Sequence, residues 1–286
     1  MGMVAAILVA SAIGVYGPIV MRMRLPSTTN AFFTFVKQFG TGVVISTAFV
    51  HLFTHASLMF ANKCLGDLDY EATPAVILMA GVFVSFIVDE LVNIFVLESG
   101  ILFHSLLIGL TLVVTGDSFF VTLALVIGFH QLFEGIALGS RIAELGLAKV
   151  HNSMVQVSRE SSYGTVAGAG EETPLLGGSS QTQTEVSVKR KIALASGFAF
   201  VTPLGMMLGM AVLHRFNGND PFTIVALGSL DAFSAGILVW TGVVEMWARD
   251  WLVDGEMANQ NSVRTGLGLL GLVSGMTLMG ILGKWA

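Results

Sequence analysis

His130 and Glu134 stand four residues apart in the stretch IGFHQLFEGIALG at 127–139, a segment otherwise fit for lipid. On a helix, residues at i and i+4 share one face, so the imidazole and the carboxylate project together. Imidazole nitrogen and carboxylate oxygen are both good ligands for zinc, iron or manganese. The same pair could instead be a buried ion pair that holds a bundle together. Gln131, one position round, could add a weaker oxygen. A second segment repeats the template of Phe, His, polar, two apolar residues, variable, Gly: FHSLLIG at 103–109 against FHQLFEG at 129–135. There His104 matches His130, Ser105 matches Gln131, and Ile108 occupies the place of Glu134. The recurrence favours a shared metal site over a buried ion pair.

Such residues need elements to position them inside an apolar medium, and the composition supplies it. Of 286 residues 54% are hydrophobic and only 12% charged, about half the charged share of ordinary soluble domains. Thirty-three glycines and 14 methionines suit a multi-spanning membrane protein, where small residues let helices approach closely. A net charge of −5 argues against nucleic acid as a partner. Cys64 is the sole cysteine, so no intrachain disulfide can form.

Runs of roughly 20 mostly apolar residues predict eight spans, at 3–20, 32–59, 75–95, 98–115, 119–143, 191–214, 222–248 and 266–284. The expected organisation is therefore helices one to five in 1–143, a flexible cytoplasmic loop at 144–190, and helices six to eight in 191–286. The opening stretch MGMVAAILVASAIGVYGPIV has no basic n-region and is predicted to be the first span rather than a cleaved signal. Eight spans put Arg22, Arg24, Lys37, Arg141, Lys149, Arg159, Lys189, Arg190, Lys191, Arg249 and Arg264 on one side, and only Lys63, Arg215 and Lys284 on the other. The positive-inside rule then places both termini on the non-cytoplasmic side. The 144–190 segment is rich in Ser, Thr, Gly and Gln, a composition that resists packing. Within it Glu171 precedes the pair Leu175 and Leu176, like a sorting signal read by an adaptor; Glu171–Leu176 is equally a chance match.

Other ionisable residues in the spans are few, and such residues are costly unless they face a protein interior or a pathway. His51 and His55 lie in span two. Asp89 and Glu90 near the end of span three are expected to cap or face a loop. Asp231 and Glu245 lie toward opposite ends of span seven, as groups for ion capture or release. Pro203 in FAFVTPLGMMLG removes a backbone donor next to Thr202. Neither His151 nor His214 is assigned a metal. An intramembrane zinc hydrolase would also need His and carboxylate in lipid together with an activated water, but no HExxH is present.

Taken together, FVKQFGTGVVISTAFVHLFTHA, ESGILFHSLLIGLTL, FHQLFEGIALGSRI, FVTPLGMMLG and LDAFSAGILVWTGVVEMWARD resemble the ZIP family of zinc and iron transporters, close to its fungal and plant branch. The resemblance implies an all-α polytopic bundle of eight transmembrane helices, often dimeric, that brings divalent metal into the cytosol. It implies no prosthetic group; Zn2+, or else Fe2+, Mn2+ or Cd2+, is the cargo. It places His104, Ser105, His130, Gln131 and Glu134 at the metal centre between helices four and five. His51, His55 at the outer mouth, and Thr202 on helix six are weaker candidates. Ile108 stands where bacterial-type members have a second glutamate, which speaks for one transport metal rather than two. The family's long loop falls between helices three and four, whereas here the long loop follows helix five. The resemblance also implies elevator-like motion of helices one, four, five and six against two, three, seven and eight. The expected location is the plasma membrane, with a vacuolar or endosomal membrane as the alternative.

Overall fold

A computed structural model describes residues 2–24, 30–66, 70–92, 96–114, 120–144, 188–212, 220–252, 255–258 and 260–284. Among these the long elements are all helical. They are α1 (Gly2–Arg24), α2 (Asn30–Ser46, running on through Thr47–Phe53 and Thr54–Phe60), α3 (Thr73–Val92) and α4 (Val96–Val114). After them come α5 (Phe120–Glu144), α6 (Val188–Val212), α7 (Pro221–Val239, continued by Trp240–Ala248 and Arg249–Trp251) and α8 (Ser262–Leu282). The protein is an all-α multi-pass membrane bundle.

Local chemistry sets several helix ends. Asp220 accepts from the Thr223 amide ahead of Pro221 at the first helical position, and Asn261 accepts from the Arg264 amide; each side chain satisfies a donor that the first turn leaves open. Pro18 and Pro203 lie inside α1 and α6, and both helices run on through them. The stretches Thr47–Phe53 of α2 and Trp240–Ala248 of α7 are wound as π-helix. Single wide turns of this kind cluster at functional sites, and here one carries His51 and the other Glu245.

Glycine lets particular helices interlock. A methyl added at Gly42 would overlap the Leu272 carbonyl of α8, and one at Gly275 the Phe39 carbonyl of α2. Gly14, Gly135 and Gly139 join α1 to α5 in the same way, Gly109 and Gly205 join α4 to α6, and Gly81 and Gly236 join α3 to α7. In lipid, where the hydrophobic effect does not drive helices together, such close approach supplies the dispersion contact that does. The interlocked pairs can be set out as two groups, α1 with α4, α5 and α6, and α2 with α3, α7 and α8, which meet closely along α2 and α5, Gly40 against Ala137. Phe198, Leu138, Leu238, Val44 and Leu52 fill the space where the groups meet. Large apolar side chains such as Met79 and Phe83 of α3 point outward, Phe83 with 60% of its surface exposed, as a lipid-facing surface requires.

Of the eight expected spans, length and apolarity recover six. Among the described residues six helices are long and apolar enough to cross a membrane: α1, α2, α3, α6, α7 and α8. In α4 the apolar run that qualifies is the short Ile101–Leu110, and α5 interrupts its apolar run with His130, Gln131, Glu134 and Arg141. Lys37 and Arg141, counted with the loop charges, are instead paired within helices and largely shielded. The expected loop at 144–190, with Glu171–Leu176, lies outside the described residues except at its ends, where α5 and α6 run into it. His151 and His214 also lie outside them.

Candidate metal centre

The template shared by α4 and α5 brings the His104 and His130 rings together edge to face. Their Nε2 atoms are 3.2 Å apart, and Oε1 of Glu134 lies 3.2 Å from His130 Nε2 and 3.5 Å from His104 Nε2. All three side chains are buried, with 2% or less of each exposed. Both Glu134 oxygens lack a hydrogen-bond donor of proper geometry, and so does the buried Nδ1 of His104. The Thr47 hydroxyl stands beside the carboxylate.

These distances have the dimensions of one face of a metal polyhedron. A tetrahedral ion with bonds of about 2.0–2.2 Å holds its ligand atoms about 3.3–3.6 Å apart. Two imidazole nitrogens and a carboxylate oxygen at 3.2, 3.2 and 3.5 Å therefore need little movement to close on a single cation. Without one, an ionised carboxylate would sit in a low-dielectric interior without a well-formed hydrogen bond, a costly arrangement. The three side chains together could hold a metal ion.

His51 of α2 approaches from the other group of helices. Its ring centroid is 5.2 Å from that of His130 and 6.3 Å from that of His104, and its Nδ1 is buried without a partner. The sequence shows Thr47, His51 and His55 at successive intervals of four, and that spacing is the signal by which Thr47 could have been picked out.

The remaining expected residues take other places. The Gln131 carboxamide oxygen, foreseen as a weaker ligand, accepts from Thr202 Oγ1 at 3.0 Å and from Ser11 Oγ at 3.4 Å. The group left without a partner is its Nε2, a donor. Ser11 was not foreseen; it ties α1 to α5 beside the centre. Ser105 is fully buried and its hydroxyl has no partner. Ile108 packs with Ile7, Ala124, Ile127 and Met206, so hydrocarbon fills the place of a second glutamate. His55 Nδ1 lies 2.7 Å from Asp231 Oδ2, which joins α2 to α7 by a pair that sequence spacing alone does not reveal. Asp89, expected to cap or face a loop, stands against Glu245, whose Oε2 lies 2.7 Å from Arg249.

Comparison with known proteins agrees with this architecture. The family profile described as ZIP Zinc transporter matches residues 1–98 and 178–283; the stretch carrying His104, His130 and Glu134 lies between the two blocks. Zinc-regulated transporter 1 of Candida albicans is 41% identical over 322 residues, covering 100% of this chain and 60% of the relative. Zinc-regulated transporter 2 of Saccharomyces cerevisiae is 30% identical over 199 residues, covering 69% and 38% respectively. Fe(2+) transport protein 2 of Arabidopsis thaliana is 25% identical over 343 residues, covering 99% and 86%. The chain thus spans only part of the length of the two fungal relatives. With the family profile matching well over half of its residues, the chain belongs to the ZIP zinc transporter family.

Proposed function

We propose that the chain carries divalent metal ions, zinc foremost, across a membrane into the cytosol, and that His104, His130 and Glu134 hold the ion in transit. The observation that carries this reading is the buried carboxylate, without a hydrogen bond of good geometry, set against two converging imidazole nitrogens. His51 is the fourth ligand, supplied from the opposite helix group. Ser105 and Gln131 line the centre, and Thr202 holds Gln131 in place. One ion is carried at a time, because Ile108 offers no second carboxylate. Nitrogen and oxygen ligands suit Zn2+, Fe2+, Mn2+ and Cd2+ alike. Zinc is placed first because the two fungal relatives are named for zinc, while the plant relative is named for Fe(2+).

In this reading all eight helices span the membrane, α4 and α5 being sheltered from lipid by their neighbours, and both termini face away from the cytosol. The site of action is the plasma membrane, and the working unit is a homodimer. If Glu171–Leu176 is read by a sorting adaptor, the protein cycles to endosomal or vacuolar membranes. A hydrolase would have to retain its metal and activate a water on it; a cargo site must instead release the ion.

Metal binding requires neutral imidazole and ionised carboxylate. Acidification that protonates the ligands should therefore lower uptake, because protons then displace the ion. Initial uptake rates measured from pH 7.5 to 5 check this, and a flat profile would contradict it. His55 and Asp231 form the mouth. Asp231→Asn removes a charge that gathers cations, and should raise the KM for zinc about threefold or more with the maximal rate largely kept. Saturation kinetics at matched surface abundance provide the test.

The direct test of the function is uptake of zinc, iron, manganese and cadmium, in parallel, into cells lacking their own zinc uptake. Saturable uptake that His130→Ala abolishes supports the reading. Well-expressed protein with no flux at either the cell surface or an organelle membrane would overturn it.

A further inference from the structure

Two turns beyond the metal centre, α5 presents a second polar cluster. Arg141 is seven residues past Glu134, which places it on the same helix face and about 10 Å further along. Its guanidinium grips Asp250 of α7 with two nitrogens, at 2.7 and 3.1 Å, and also donates to Thr41 of α2 at 3.0 Å. Lys37 of α2 lies 3.3 Å from the same aspartate, 3.1 Å from Glu144 of α5 and 3.0 Å from Glu256. Lys37 and Asp250 are both more than nine-tenths buried.

We propose that Arg141, Asp250 and Lys37 form an ionic gate, closed in this structure, across the route between the metal centre and the end of the bundle where α5 stops. Three observations support this. The cluster joins α5, of one helix group, to α2 and α7 of the other, and so crosses the boundary at which the groups would part. Glycine interlocks helices chiefly within each group; across this boundary Gly40 meets Ala137 and Phe39 packs edge to face with Phe133, and the ionic cluster adds to this packing. In addition, the two cations are held by three carboxylates, so the closed cluster obstructs the route as a packed ionic plug rather than by repelling the cation. Buried charges released from one another are strongly destabilised unless water reaches them, so the cluster favours either fully paired or fully open and hydrated arrangements.

The inference rests on the transport reading, and the test separates the two. In a Cys64→Ser background, Ser140→Cys puts a thiol beside Arg141 at a fully buried position. A charged, membrane-impermeant thiol reagent is applied to inside-out vesicles. Labelling should be slow in this parent and at least tenfold faster with Arg141→Gln. The isosteric Asp250→Asn guards against a folding defect in the first variant and should accelerate labelling likewise. The exchanged pair Arg141→Asp with Asp250→Arg should return the rate to within threefold of the parent. Equal labelling of the parent and the single variants overturns the gate. Zinc flux on the same vesicles reports separately: its absence from the well-folded parent overturns transport, whatever the labelling shows.

Discussion

Glu134→Gln is expected to abolish zinc uptake, lowering the initial rate at least about a hundredfold, the upper end of what losing an outer partner alone costs a metal site. The substitution keeps size and shape and removes one negative charge. It leaves only neutral imidazoles facing a doubly charged ion that must shed its water in a low-dielectric interior. Neutral nitrogens alone cannot replace that hydration, whereas a carboxylate 3.2 Å from His130 Nε2 and 3.5 Å from His104 Nε2 can. Folding should survive, because neither Glu134 oxygen holds a hydrogen bond that the fold needs. The check is radioactive zinc uptake normalised to surface-labelled protein. Uptake within twofold of wild type would show that the ion does not pass this carboxylate.

The second large effect is structural. Gly42→Val should cost about 3 kcal/mol or more, at or beyond the upper end of ordinary overpacking. The obstacle is backbone rather than a side chain that could turn aside: the first added carbon overlaps the Leu272 carbonyl and comes within 2.8 Å of the Met276 amide nitrogen. Helices α2 and α8 would have to separate, and α2 carries His51. Thermal unfolding in detergent should show a clearly lowered midpoint and a poor yield of monodisperse protein, and zinc uptake should fall with abundance. Glu134→Gln should show the opposite pattern, normal yield with no uptake. If Gly42→Val unfolds at the wild-type temperature, the α2–α8 interlock is looser than described.

These contrasting outcomes mirror what the sequence could reveal. The i, i+4 spacing of His130 and Glu134, and its echo at His104, announced the centre because helical geometry alone puts such residues on one face. Apolar run length located the helices to within a few residues, as at α3 and α7. Pairings across the bundle were hidden, since no local period encodes them. The bond from His55 to Asp231 joins residues 176 positions apart, and that from Arg141 to Asp250 joins residues 109 apart. Lys37 and Arg141 read as loop charges because each stands near the end of an apolar run; only packing shows that they are enclosed. Gln131 was legible as a polar residue near the centre, but the direction of its amide depends on Ser11 and Thr202, on two other helices. Among the described residues apolarity alone recovers six spans, because α4 has only a short qualifying run and α5 gives up hydropathy to His130, Gln131, Glu134 and Arg141.

The central claim is that an ion crosses through His104, His130 and Glu134. Zinc flux into liposomes containing only the purified chain tests it most directly, wild type beside a His130→Ala, Glu134→Ala double variant reconstituted in equal amount. Saturable flux through the wild type, reduced to the level of empty liposomes in the double variant, is the expected result. Equal flux through both proteins would place the pathway elsewhere.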